Sequence, residues 1–174
     1  MLTVYPTEQS RGVLQFEGGE YPCALGRNGI QQTKREGDGA TPAGTFALRQ
    51  VFYRPDRLAP PACQLPIRAL TTDDGWCDDP AHAAYNRLVE RPFAASHEVM
   101  WRADNLYDVV IAIGHNDDPP RAPMGSAIFI HCAAADFAPT EGCVALARET
   151  LVALIPRFRR DTELQVRERQ AGAP

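Results

Sequence analysis

The amino-acid sequence predicts a mainly β domain, a β-sandwich or partly closed barrel of short strands, with one helix after Cys143. Two observations carry that prediction. Short apolar runs rich in β-branched and aromatic residues recur along the chain, cut apart by 15 prolines and 13 glycines that leave little room for long regular elements. Only one stretch, Val144 to Ile155, repeats apolar residues at helical spacing. A length of 174 residues with 44% hydrophobic content suffices for one domain with a real core, so residues 1–174 are read as a single domain.

Leu2 to Tyr5 opens as a strand. Gly12 to Phe16 and Tyr21 to Leu25 flank Glu17-Gly18-Gly19-Glu20, a hairpin signal, because glycine supplies the positive φ such turns need. Arg27 to Gly39 is polar and reads as a surface loop. Thr41-Pro42-Ala43-Gly44 has the residue order of a tight turn, launching a strand from Thr45 to Tyr53. Arg54 to Pro66 is too proline-rich for a regular element, and Thr71 to Pro80, with four aspartates, reads as a solvated loop. Its spacing does not fit a calcium loop. Asp79-Pro80 can start a short helix through Tyr85, whereas Arg91 to Met100 is irregular. Tyr107 to Ile113 is the most strand-like run, and Ala127 to Ile130 follows as a second buried strand. Val144, Ala147, Leu151, Leu154 and Ile155 form one helix face that breaks at Pro156. Thr162 to Arg167 alternates as a closing strand, and Ala171 to Pro174 reads as a frayed tail.

A formal charge of −4 argues against a nucleic-acid partner, which calls for a basic patch. Met1 to Phe16 has neither the basic nor the apolar segment of a secretory signal, and no stretch is apolar enough to span a membrane. Five cysteines without a C-x-x-C pair argue against a zinc site and against a full disulfide framework. At least one thiol must be free or paired between chains.

Cys143 is the thiol with a chemical setting. Thr140-Glu141-Gly142-Cys143 leads into the apolar helical pattern, so Cys143 is expected at a helix N-terminus. Unpaired N–H groups and the helix dipole would there lower its pKa. Gly142 leaves room for a substrate carbonyl, and the N–H groups of Gly142 and Cys143 are candidate oxyanion donors. His131, at the exit of the preceding strand, is a candidate acid and base. The competing reading is a buried structural cysteine, the commoner fate of a free thiol. His115 ends the Tyr107 strand in a polar loop, where it can orient His131, bind substrate or hydrogen-bond a loop backbone. His115, Asp117 and Asp118 lack ligand spacing, so no metal site is expected.

His131 followed by Thr140-Glu141-Gly142-Cys143-Val144 resembles the His…Ser/Thr-x-Gly-Cys-Val/Ile signature of the YkuD-type L,D-transpeptidase catalytic domain. Lys34 to Phe46, KREGDGATPAGTF, resembles the same family's K-x-x-x-D-x-x-T-P-x-G-x-F segment. The chain departs from the pattern with Cys132 where glycine is common, Glu141 where histidine is frequent and Ala145 where arginine is frequent. The resemblance implies a β-scaffold with the cysteine at its edge and Cys143 as nucleophile. It implies His131 as acid and base, with Thr140 and Glu141 beside them on the substrate side. The implied reaction acylates Cys143 with the third residue of a peptidoglycan stem peptide and transfers it to an amine of a second stem, without metal or cofactor. An L,D-carboxypeptidase or amidase using water, or a non-catalytic wall- or metal-binding module, are the alternatives. A wall substrate places the protein in the periplasm or cell envelope.

Overall fold

The computed structural model describes residues 1–168; the tail at Ala171 to Pro174 lies outside them. Fourteen strands and one helix follow one another as β1 (Leu2–Glu8), β2 (Arg11–Phe16), β3 (Gly19–Ala24), β4 (Ile30–Gln31), β5 (Thr41–Pro42), β6 (Gly44–Tyr53) and β7 (Ile67–Ala69), then β8 (Asp74–Cys77), β9 (Leu88–Glu90), β10 (His97–Val99), β11 (Val109–Ile113), β12 (Phe129–Cys132), β13 (Val144–Leu146), α1 (Arg148–Leu154) and β14 (Glu163–Val166). The main sheet runs β11-β12-β13-β3-β2-β1-β14-β6-β7, and β11 pairs again with β6. That last pairing closes the sheet into a barrel and leaves β7 outside the ring. Closure removes the exposed edges that an open sheet would present.

Alternation along the strands sorts side chains to two faces. Inside lie Leu2 and Val4 of β1, Val109, Ile111 and Ile113 of β11, Ile130 of β12, and Val144 and Leu146 of β13. Leu151 and Leu154 of α1 join them with Phe158. The outer face of β11 and β12 is also covered, which is why VVIAI is buried throughout instead of alternating with polar residues. The cover is a three-stranded sheet, β10-β8-β9. Trp76 of β8 meets Phe129 edge-on at 5.1 Å and Phe52 at 6.4 Å, contacts worth about 0.5–1.5 kcal/mol each beyond burial.

This cover corrects three expectations. Thr71 to Pro80 is not a solvated loop: Asp74 is buried, accepting from Arg68 Nη2 at 2.7 Å and from Thr71 N at 2.8 Å. Arg91 to Met100 contains β10, paired residue by residue with β8. Residues 79–85 form turns and no helix. Acidic composition suggested solvent there, but Trp76 and Cys77 pack inward and Asp74 finds its partners in Arg68 and Thr71.

A fourth correction bears on chemistry. Val144-Ala145-Leu146 is a strand, parallel to β12 with Ile130 opposite Val144 and His131 opposite Ala145. Three residues of apolar pattern fit either period, and pairing between β12 and β3 decides for the strand. The helix begins only at Arg148, so Cys143 does not sit at its N-terminus. Thr41-Pro42 likewise forms a short parallel pair with β4, with Thr41 buried, and is more than a turn.

Candidate functional site

Strand alternation sends Ile130 and Cys132 into the barrel, and Phe129 and His131 outward on β12. Cys143 and Ala145 share that outer face from the β13 side. His131, Cys143 and Ala145 consequently line one cavity of about 380 Å³ between the barrel and the three-stranded sheet. Thr140 and Glu141 lie in its wall with them; His115 does not.

The thiol is held by backbone on two sides. Cys143 Sγ donates to Ala127 O and accepts from Phe129 N, both at 3.3 Å. Burial pushes its pKa up to about 12, and the Phe129 N–H and the Lys34 charge pull it down too little to offset that. The depression expected at a helix terminus is therefore reversed by burial, and the helix itself starts only at Arg148. His131 donates from Nδ1 to Cys132 O at 2.8 Å, the only role open to a ring nitrogen facing a carbonyl. That tautomer leaves Nε2 with a free lone pair. Burial lowers the His131 pKa to about 4. With burial raising the thiol to about 12 and lowering the imidazole to about 4, the proton rests on sulfur. Tyr107 packs edge-on against the imidazole at 5.3 Å.

Thr140 fastens the loop that carries the cysteine. Its Oγ1 donates to Cys143 O at 2.7 Å and accepts from Gly142 N at 3.1 Å. The Gly142 N–H expected as an oxyanion donor is thus engaged, which leaves the Cys143 N–H as the candidate. Gly142 has φ +140, and a Cβ there would stand 2.7 Å from Ala40 O. Thr140 also bridges to Gly26, whose N–H donates to Thr41 Oγ1 at 2.8 Å. The Lys34–Gly44 segment therefore buttresses the Thr140–Cys143 loop from behind. Lys34 is buried in the cavity wall, donating to Arg35 O at 2.8 Å and paired with Asp38. Backbone N–H groups of Arg35 and Ala40 also reach Asp38, and with Lys34 they hold its carboxyl below the usual range against the opposing effect of burial.

Two further candidates have partners of their own. Glu141 is exposed and pairs with Arg27, an arrangement worth little in solvent. His115 Nε2 bonds Met124 O at 3.0 Å and its ring meets Phe46, so it orients a loop and not His131. Asp117 is taken up by Arg49 at 2.7 Å. Among the described residues no group of His, Cys, Asp and Glu is placed to hold a metal.

Sequence reasoning missed Asn86. Buried at φ +56, it accepts from Trp76 Nε1 at 2.9 Å and Ala127 N at 3.1 Å, and donates to His115 O and Asn116 O at 3.1 and 2.7 Å. It ties the covering sheet to the segment whose carbonyl receives the thiol. It missed Glu36 as well, whose carboxylate in the cavity wall accepts from Tyr85 Oη and, at 2.7 Å, from Ser126 Oγ. A polar residue in a glycine-rich stretch carries no sequence signal of burial.

Among the described residues no helix is long and apolar enough to cross a membrane. Neither the curated proteins nor the solved structures gave a match to this chain. The family model of the L,D-transpeptidase catalytic domain matches residues 2–166. That span takes in the whole barrel, the Lys34–Gly44 buttress and the cysteine loop, and on it the chain belongs to the L,D-transpeptidase (YkuD) catalytic domain family.

Proposed function

We propose that residues 1–174 form one catalytic domain that cross-links peptidoglycan through a thioester on Cys143. The family is a Cys-dependent class of acyltransferases and peptidases acting on peptidoglycan. The observation that carries the assignment of roles is the shared cavity of Cys143 and His131, with Nδ1 of the imidazole committed to Cys132 O.

The donor is a stem peptide presenting the carbonyl of its third residue. Cys143 Sγ attacks that carbon as its proton passes to His131 Nε2, in one concerted step because the resting pair is neutral. The oxyanion is received by the Cys143 N–H. Collapse breaks the C–N bond, His131 Nε2–H gives its proton to the departing D-amino acid, and a thioester remains. An amine of a second stem then attacks, losing its proton to His131, and the amide forms as the thiol is restored. No electron leaves or enters, so the reaction needs no redox cofactor. Thr140 positions the loop, and the site of action is the cell envelope.

A second reading, an L,D-carboxypeptidase, is favoured by the cavity itself. About 380 Å³ suits one peptide end, whereas transfer must admit two stems. Incubating the protein with a tetrapeptide stem, with and without an acceptor stem, decides between them by product mass. A cross-linked dimer supports transfer; a tripeptide produced at the same rate in both cases supports hydrolysis.

A further inference from the structure

The charges around the cavity do not balance. Six ionisable side chains other than His131, Cys143 and Tyr107 line it: Lys34, Glu36, Asp78, Glu98, Arg102 and Glu141. Lys34 is matched by Asp38, and Glu141 by Arg27. Arg102 serves two carboxylates, Glu98 at 3.3 Å and Asp104 at 2.6 Å. Among the described residues no ion pair reaches Glu36 or Asp78. Asp78 Oδ1 is shut off from solvent and has no hydrogen-bond partner.

Glu36 is the better defined of the two. Its Oε2 accepts from both Tyr85 Oη and Ser126 Oγ, and both of those residues are buried. Two neutral donors fix the carboxylate in place without cancelling its charge. Glu36 is partly buried, and an unbalanced carboxylate in such a wall attracts a cation more strongly than one in open water.

We propose that Glu36 is a specificity-determining residue that selects substrates carrying a free primary ammonium close to the acyl carbonyl. This rests on the acyl-transfer reading of Cys143. The ammonium is a point charge with three donors, able to meet the carboxylate oxygen that Tyr85 and Ser126 hold fixed in the cavity wall.

The test uses two tetrapeptides that differ at the acyl residue only, one with a lysine side chain and one with its Nε-acetyl derivative. Acylation of Cys143 is followed by intact mass for the wild-type protein and for Glu36→Gln, whose amide oxygen can still accept from Tyr85 and Ser126. The wild type should acylate about tenfold or more faster with the free amine, the worth of one such charge contact. In Glu36→Gln that advantage should shrink to about twofold, with the rate on the acetylated peptide within about twofold of wild type. A wild type that treats the two peptides alike, or a variant that loses both rates equally, would overturn the assignment while leaving the acyl chemistry standing. Failure of both peptides to acylate the wild-type thiol would instead remove the acyl-transfer reading on which the assignment rests.

Discussion

Gly142 lies against Ala40, so closely that a Cβ at residue 142 would stand 2.7 Å from the Ala40 carbonyl oxygen. That contact joins two sequence motifs about a hundred residues apart. It also explains why glycine precedes the cysteine: φ is +140, a region L-residues avoid, and the space behind is filled.

Gly142→Ala should therefore destabilise the fold by about 1–3 kcal/mol through backbone strain, and more if Ala40 must move. It should also displace Cys143 enough to cut acylation by about 10². Chemical unfolding and intact-mass acylation read the two effects separately. A variant with full acylation would mean that the cysteine loop is not set from behind.

Cys143 should alkylate as a thiol and not as a preformed thiolate. Burial pushes its pKa up to about 12, so the rate with iodoacetamide should keep rising past about pH 9, without a plateau at lower pH. A plateau beginning between about pH 5 and 7 would identify a resting thiolate–imidazolium pair and remove the concerted step.

His131 links stability to pH. Its pKa falls from 6.5 to about 4 on folding because burial disfavours the imidazolium. The unfolded chain binds the proton first as pH drops, so stability is full above about pH 6.5 and is lost as pH falls towards 4, by up to about 3 kcal/mol. His131→Gln should flatten that part of the urea-midpoint profile and reduce acylation by about 10²–10⁴. An unchanged acylation rate would move the base elsewhere.

Much of this was legible in the residues. Strand positions followed from short β-rich runs and the Glu17–Glu20 hairpin signal, and the closed barrel agrees with them. His131 and Cys143 were found because their residue types carry chemistry. What the sequence concealed were the pairings. Val144-Ala145-Leu146 is too short to separate helix from strand by period, and only its β12 and β3 neighbours settle it. Asp74 reads as solvent-exposed until Arg68 is seen beside it. Lys34 and Asp38 stand four apart in a loop, where that spacing implies nothing, and their burial comes from the chain folding over them. Asn86 has four partners, three of them in residues 115–127, and no local pattern announces such a hub.

The central claim is that Cys143, among five free thiols, is the one that becomes acylated. Cys23 and Cys132 lie inside the barrel, where burial raises them to about 12 and about 11, and neither lines the cavity. The most direct measurement is peptide mapping by mass spectrometry after incubation with a carbapenem or a tetrapeptide stem, on the wild-type protein and on Cys143→Ala. A single acyl adduct on the peptide containing Cys143, absent from the variant, is the predicted result. An adduct on another cysteine, or one that survives in Cys143→Ala, would contradict it.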